Sequence, residues 1–313
     1  MAERDRFELL DEMIGAILAG TPPPAIEPEV ALLALIAADL RDLPDPRFRT
    51  RLRRELIPTE EDVMEMTATA VTVRPYFIVD GADHLIAFLE QAFDAEVLVR
   101  VPAPRGTVMH AAVRVGDSIV EMGDAGGQWK PLAAPLHVYI DDVDEAYRRA
   151  IAAGATSLYE PMDQPYGDRE AGVVDRFGIE WFLATHLEGG PRPPGFGTVT
   201  SGFRAAGAER MLEFLEKAFG AVLVSRSGSE TIAHAEILLG KTMIELSEAH
   251  GRWGPTEGGF HLFVDDCDAV YAEALRAGAT SMYAPEDKPY GERSAGVTDP
   301  WGNQWFIATP IAR

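Results

Sequence analysis

The chain repeats itself. Sliding the sequence by 124 residues lays His110 on His234 and Thr185 on Thr309. Roughly half of the positions between them are then identical, far beyond what unrelated segments share. The run AGATSLYEPMDQPYGDREAGVVDRFGIEWFLAT meets AGATSMYAPEDKPYGERSAGVTDPWGNQWFIAT. Upstream the offset becomes 126, which sets AFLEQAFDAE (Ala87–Glu96) on EFLEKAFGAV (Glu213–Val222). The difference falls in VPAPRG, where proline and glycine make a change of loop length cheap. Residues 70–187 and 196–311 are therefore expected to be two copies of one domain. The Pro- and Gly-rich segment around Leu187–Gly197 reads as a stiffened linker.

A fainter echo lies inside each copy. VRPYFIVDGADHLIAFLEQAF resembles LHVYIDDVDEAYRRAIAAG: a short alternating strand, an acidic turn, then apolar residues at helical spacing. Three strand-like runs parted by turn residues follow each helix. Each copy reads as βαβββ–βαβββ, an α+β arrangement, so the chain holds four such modules. Residues 1–66 belong to neither copy. Phe7–Leu18, Glu29–Leu40 and Pro46–Leu56 are expected to form three helices, the last rich in arginine. Short helices need packing to persist. The segment is therefore expected to dock on the repeats or on a protein partner, and the plainer alternative for the arginines is a solvated helix face.

Composition narrows the function classes. With 28 Lys+Arg against 50 Asp+Glu the net charge is −22, which repels phosphate backbones and anionic lipid. Neither nucleic acid nor membrane is expected as a partner. Apolar residues make up 47%, without a run long enough to span a bilayer, and the N-terminus lacks a signal-peptide pattern. A cytoplasmic location is the expectation. One cysteine, Cys267, excludes an internal disulfide, a Cys-rich zinc site and a Cys-ligated cluster.

The ordered motifs VDGADHLIAFLEQAFDAE, MHAAVRVGDSIVEMGD, LHVYIDDVDEAYRRAIAAGAT and YGDREAGVVDRFGIEWFLATH resemble the vicinal oxygen chelate superfamily, and within it the PhnB-like branch. That superfamily includes glyoxalase I, bleomycin-resistance proteins and extradiol dioxygenases. The second copy repeats the motifs, so the resemblance covers both copies. It implies tandem vicinal-oxygen-chelate domains whose paired modules form cupped sheets, each with a cavity on its concave face. It also implies an internal pseudo-dimer of the two copies, compatible with a monomeric chain. In metal-dependent members a His from the first strand of each module and a Glu from the last strand face that cavity. Carried over residue by residue, the His positions fall on His137 and His261 but also on Tyr76 and Gly202. The Glu positions fall on Glu121 and Glu245 but also on Phe182 and Phe306. Half of the ligand set is missing.

A catalytic metal normally takes three protein ligands and an open position. Two per cavity fall short whether modules pair within a copy or across copies, so no cofactor is expected. A divalent zinc, nickel, manganese or iron ion is the alternative, with His110 or His234 as the side chain to complete a set. Without metal, His137 with Glu121, and His261 with Glu245, form candidate base pairs in which the carboxylate raises the imidazole pKa. Trp129 and Trp253, in GGQWK and HGRWG, are candidates to stack on a flat ligand. Tyr139 and Phe263 share the face of the inward histidines. Tyr166, Arg169, Tyr290 and Arg293 lie in the PYGxR loops and could clamp an anionic or phenolic ligand. Trp181 and Trp305 precede the inward Phe182 and Phe306, so alternation turns them into the core. The expected function is binding of a small organic molecule. The alternatives are a metal-dependent lyase, isomerase or dioxygenase, and a sensor read out by the N-terminal helices.

Overall fold

A computed structural model of the chain describes residues 71–103, 106–187, 192–289 and 291–311. The helices expected in residues 1–66, part of the linker and Tyr290 lie outside the described residues. Four βαβββ modules follow one another. The first comprises β1 (Thr72–Val79), α1 (Ala82–Phe93), β2 (Glu96–Pro102), β3 (Val108–Val115) and β4 (Ser118–Asp124). The second comprises β5 (Leu136–Tyr139), α2 (Val143–Ala152), β6 (Thr156–Asp163), β7 (Asp168–Val174) and β8 (Glu180–His186). In the third are β9 (Val199–Ala205), α3 (Ala208–Phe219), β10 (Val222–Ser227), β11 (His234–Leu239) and β12 (Thr242–Glu248). The fourth holds β13 (Gly259–Phe263), α4 (Cys267–Arg276), β14 (Thr280–Lys288), β15 (Glu292–Thr298) and β16 (Gln304–Pro310). None of the described helices is long and apolar enough to cross a membrane.

Local chemistry sets each module. Gly81 and Gly207 precede their helices at φ of 100° and 85°, a region open chiefly to glycine. The orphan amides of those helices find a carboxylate at the end of the module's last strand. Asp124 accepts from the amides of Gly81 and Ala82, and Glu248 from those of Gly207 and Ala208. Helices α2 and α4 start instead on Asp142 and Asp266, whose side chains accept from the amides of Glu145 and Ala269.

The modules pair across the copies. One sheet has the order β14-β15-β16-β13-β1-β4-β3-β2, which joins the fourth module to the first. The other runs β10-β11-β12-β9-β5-β8-β7-β6 and joins the third to the second. At the seams β1 lies antiparallel to β13, with Arg74 opposite His261, and β5 antiparallel to β9, with His137 opposite Thr200. The apolar cores run the other way. Phe77, Leu85, Leu89, Val120, Met122, Leu136, Val138 and Trp181 share one core built mainly by the first and second modules. Phe203, Met211, Leu215, Ile244, Phe260, Leu262 and Trp305 belong to the other, built mainly by the third and fourth. Each sequence repeat is thus the unit of core packing, while each sheet is assembled from both repeats. That division exposes two distinct concave faces, each lined by residues of both copies.

Candidate functional site

Alternation along the strands decides which residues meet on a concave face. Val120 and Met122 enter the core, so Glu121 between them points the other way, and Leu136 and Val138 do the same for His137. The turn before β8 is held by Asp175. Its carboxylate accepts from the amides of Phe177 and Ile179 and, at 3.0 Å, from the indole Nε1 of Trp181. Asp299 repeats this with Trp301, Asn303 and Trp305. Both tryptophans are fully buried. Phe182 and Phe306, one residue later, are turned onto the concave faces.

The face made by the first and fourth modules collects Arg74, Tyr76, Glu121, His261 and Phe306. His261 Nδ1 lies 2.7 Å from Glu121 Oε2, and Arg74 donates from Nη1 to Glu121 Oε1 at 2.7 Å. Both carboxylate oxygens are engaged. Burial works against the charge of Glu121, but His261 and Arg74 outweigh it and hold the group down at about 2. The Arg74 guanidinium also covers the ring of Phe263 at 4.5 Å. Tyr76 fills the centre of this face, 5.1 Å from Phe306 and 5.9 Å from His110 between ring centroids. Trp129 closes on the edge of Phe306 at 5.7 Å.

The face made by the second and third modules differs. Thr200 stands where Arg74 does and Gly202 where Tyr76 does. His137 Nδ1 lies 3.2 Å from Glu245 Oε1, and its Nε2 lies 3.7 Å from Glu170 without a hydrogen bond. Burial disfavours the imidazolium, yet Glu245, Glu170 and Asp168 together hold His137 above the ordinary imidazole range. Glu245 is correspondingly held low, His137 outweighing the effect of burial. Tyr139 stacks on His137 at 4.5 Å and donates to Asp168, which also contacts His186 Nδ1 at 2.6 Å. Tyr159 and Tyr166 both donate to Glu170. Burial and these carboxylates raise all three phenols, so they remain protonated donors. A cavity of about 210 Å³ opens here, lined among others by His137, Phe182, Gly202, His234, Glu245 and Trp253.

Two expectations need correction. The base pairs are crossed: Glu121 partners His261 and Glu245 partners His137, because the sheets join modules of different copies. Tyr76 accordingly shares its face with Phe306. Arg169 and Arg293 are not free clamps. Arg169 forks onto Asp144 at 2.7 and 2.9 Å and reaches Asp163 at 2.8 Å, and Arg293 does the same with Asp268 and Asp287. Tyr166 is turned toward Glu170 with 60% of its surface exposed. Trp253 meets Phe182 edge-on at 5.8 Å, as Trp129 meets Phe306. Arg74 and Glu170 were missed. Arg74 and Thr200 lie two residues before Tyr76 and Gly202, so strand alternation alone could have exposed the first contrast.

At the four positions where metal-dependent members place ligands, each face offers one His and one Glu, and on one of them Arg74 directs a fixed positive charge at Glu121. Among the described residues no three His, Cys, Asp or Glu side chains are grouped so as to hold a metal ion.

A family model described as Glyoxalase/Bleomycin resistance protein/Dioxygenase superfamily matches residues 70–183 and 198–307. The chain belongs to this superfamily. Glyoxalase I of Zea mays shares the superfamily fold with it at a TM-score of 0.59 and 18% identity, over 76% of this chain and 93% of that one. A putative dioxygenase of Bacillus subtilis aligns at a TM-score of 0.51 and 13% identity, over 76% and 84%. At such identities both bear on the fold alone. Uncharacterised proteins of Mycobacterium bovis and Mycobacterium tuberculosis strain H37Rv are each 38% identical over 120 residues, 35% of this chain. The alignment covers 79% of the first and 71% of the second.

Proposed function

We propose that this superfamily member binds a small organic molecule on its concave surface without a catalytic metal. The observation that carries it is the pair of phenyl rings, Phe182 and Phe306, at positions where metal-dependent members place a carboxylate. A phenyl ring cannot coordinate a cation, but beside Trp253 or Trp129 it makes an aromatic wall suited to a flat ligand. The motifs quoted above support a place in the PhnB-like branch, and the crossed sheets support an internal pseudo-dimer. Metal content of the purified protein and calorimetric titration with zinc or nickel test the proposal. Less than a tenth of an equivalent of metal and no tight binding are expected. A stoichiometric ion, or tight binding by the unmodified chain, would overturn it.

A second role is favoured by one feature, His137 held between Glu245 and Glu170. An imidazole so placed can take up or release a proton toward a bound molecule, and catalysis of that kind needs no metal. It would show as turnover that follows the ionisation of His137 and is lost in His137→Gln.

A further inference from the structure

We infer that the two concave faces have different fates: only the one made by the second and third modules receives a ligand, and that ligand is a flat ring carrying an N–H or O–H donor. The inference builds on the metal-free binding role proposed above and narrows it to one face and one chemical class.

Two substitutions between the repeats separate the faces. At the first position Tyr76 occupies the centre of one face with its ring against Phe306. Its counterpart Gly202 leaves that volume open, and the cavity of about 210 Å³ lies there. A Cβ built on Gly202 would stand 3.5 Å from Pro135, an ordinary contact, so its backbone does not require glycine. What the missing side chain supplies is room. At the second position Arg74 saturates Glu121, whose other oxygen already meets His261. Its counterpart Thr200 cannot reach out in this way, and the contacts of Glu245 with His137 (3.2 Å) and His234 (3.9 Å) both run through Oε1. Among the described residues no hydrogen bond reaches Oε2, which is left as an acceptor for a donor in the cavity.

A ring of one or two cycles matches that volume, which is below the span usual for drug-sized ligands. Phe182 and Trp253 give it an apolar wall, and the ionised Glu245 accepts its N–H or O–H in a charge-assisted bond. On the opposite face the Tyr76 ring takes up the counterpart volume, and Arg74 and His261 engage both oxygens of Glu121.

Equilibrium dialysis with 5-fluoroindole, quantified by 19F NMR, tests this on the full chain. One equivalent is expected at saturation. Gly202→Tyr should abolish uptake, with Gly202→Leu as a smaller plug should the tyrosine variant melt early. Glu245→Leu should weaken binding at least tenfold, as should N-methylation of the probe. The double substitution Arg74→Thr with Tyr76→Gly should raise capacity to two equivalents by opening the other face. Two equivalents in the native chain, none at all, retained uptake in both Gly202 variants, or indifference to N-methylation would overturn the inference. The zinc and nickel titrations decide the metal-free role separately.

Discussion

Asp175 and Asp299 each anchor a tight turn and a buried indole with one carboxylate. Burial raises both groups, and the hydrogen bonds they accept oppose that effect. Removing the carboxylate strands the Trp181 or Trp305 N–H in the core, where an unsatisfied donor costs about 1–3 kcal/mol. Asp175→Ala is therefore expected to destabilise the chain by about 3 kcal/mol in urea unfolding, and to shift Phe182 on the neighbouring concave face. Glu121 carries a pH dependence. Its pKa falls from an ordinary 4.5 to about 2 on folding. A lowered carboxylate contributes stability that is complete above about 4.5 and lost as pH falls toward 2. Native protein should exceed Glu121→Gln in stability by on the order of 3 kcal/mol near neutral pH, with the gap closing between pH 4.5 and 2 in paired thermal melts. A gap independent of pH would show that the ion pair with Arg74 and His261 is not its source.

The seams between β1 and β13 and between β5 and β9 decide which side chains can act together. Because the second module faces the third, Gly202→His with Phe182→Glu would surround one point with His137, Glu245 and the two introduced ligands. That double variant is expected to bind zinc at least a hundredfold more tightly than the native chain in calorimetry. Tyr76→His with Phe182→Glu spreads the same two groups over separate faces, and should gain little. A reversed ranking would mean that the modules pair within copies.

At the scale of the molecule, core and sheet bind the repeats in opposite senses. Each repeat has its own apolar core, with α1 against α2 and α3 against α4. Cut apart, a repeat would keep that core but leave the seam edges of its β1-type and β5-type strands unpaired, and an open edge recruits another strand. Residues 70–187 expressed alone should therefore sediment as a dimer that rebuilds crossed sheets with a second copy of itself. A stable monomer would show that the seams are dispensable.

The repeated sequence by itself determined the four modules, the order of their elements and the faces of the strands that carry His137, His261, Phe182 and Phe306. Trp181 inside and Phe182 outside follow from alternation, and the start of each helix from the acidic turn before an apolar helical pattern. Membership in the superfamily was legible too, in motifs that keep their order twice. Which modules share a sheet was not legible. LHVYI and FHLFV offer the same alternating strand edge, and antiparallel seams are joined by backbone hydrogen bonds that carry no side-chain identity. Hence the partner of Glu121, the saturation of its carboxylate by Arg74 and the cavity beside Gly202 were decided only when the chain closed both sheets. Tertiary packing alone could bring together residues more than a hundred positions apart.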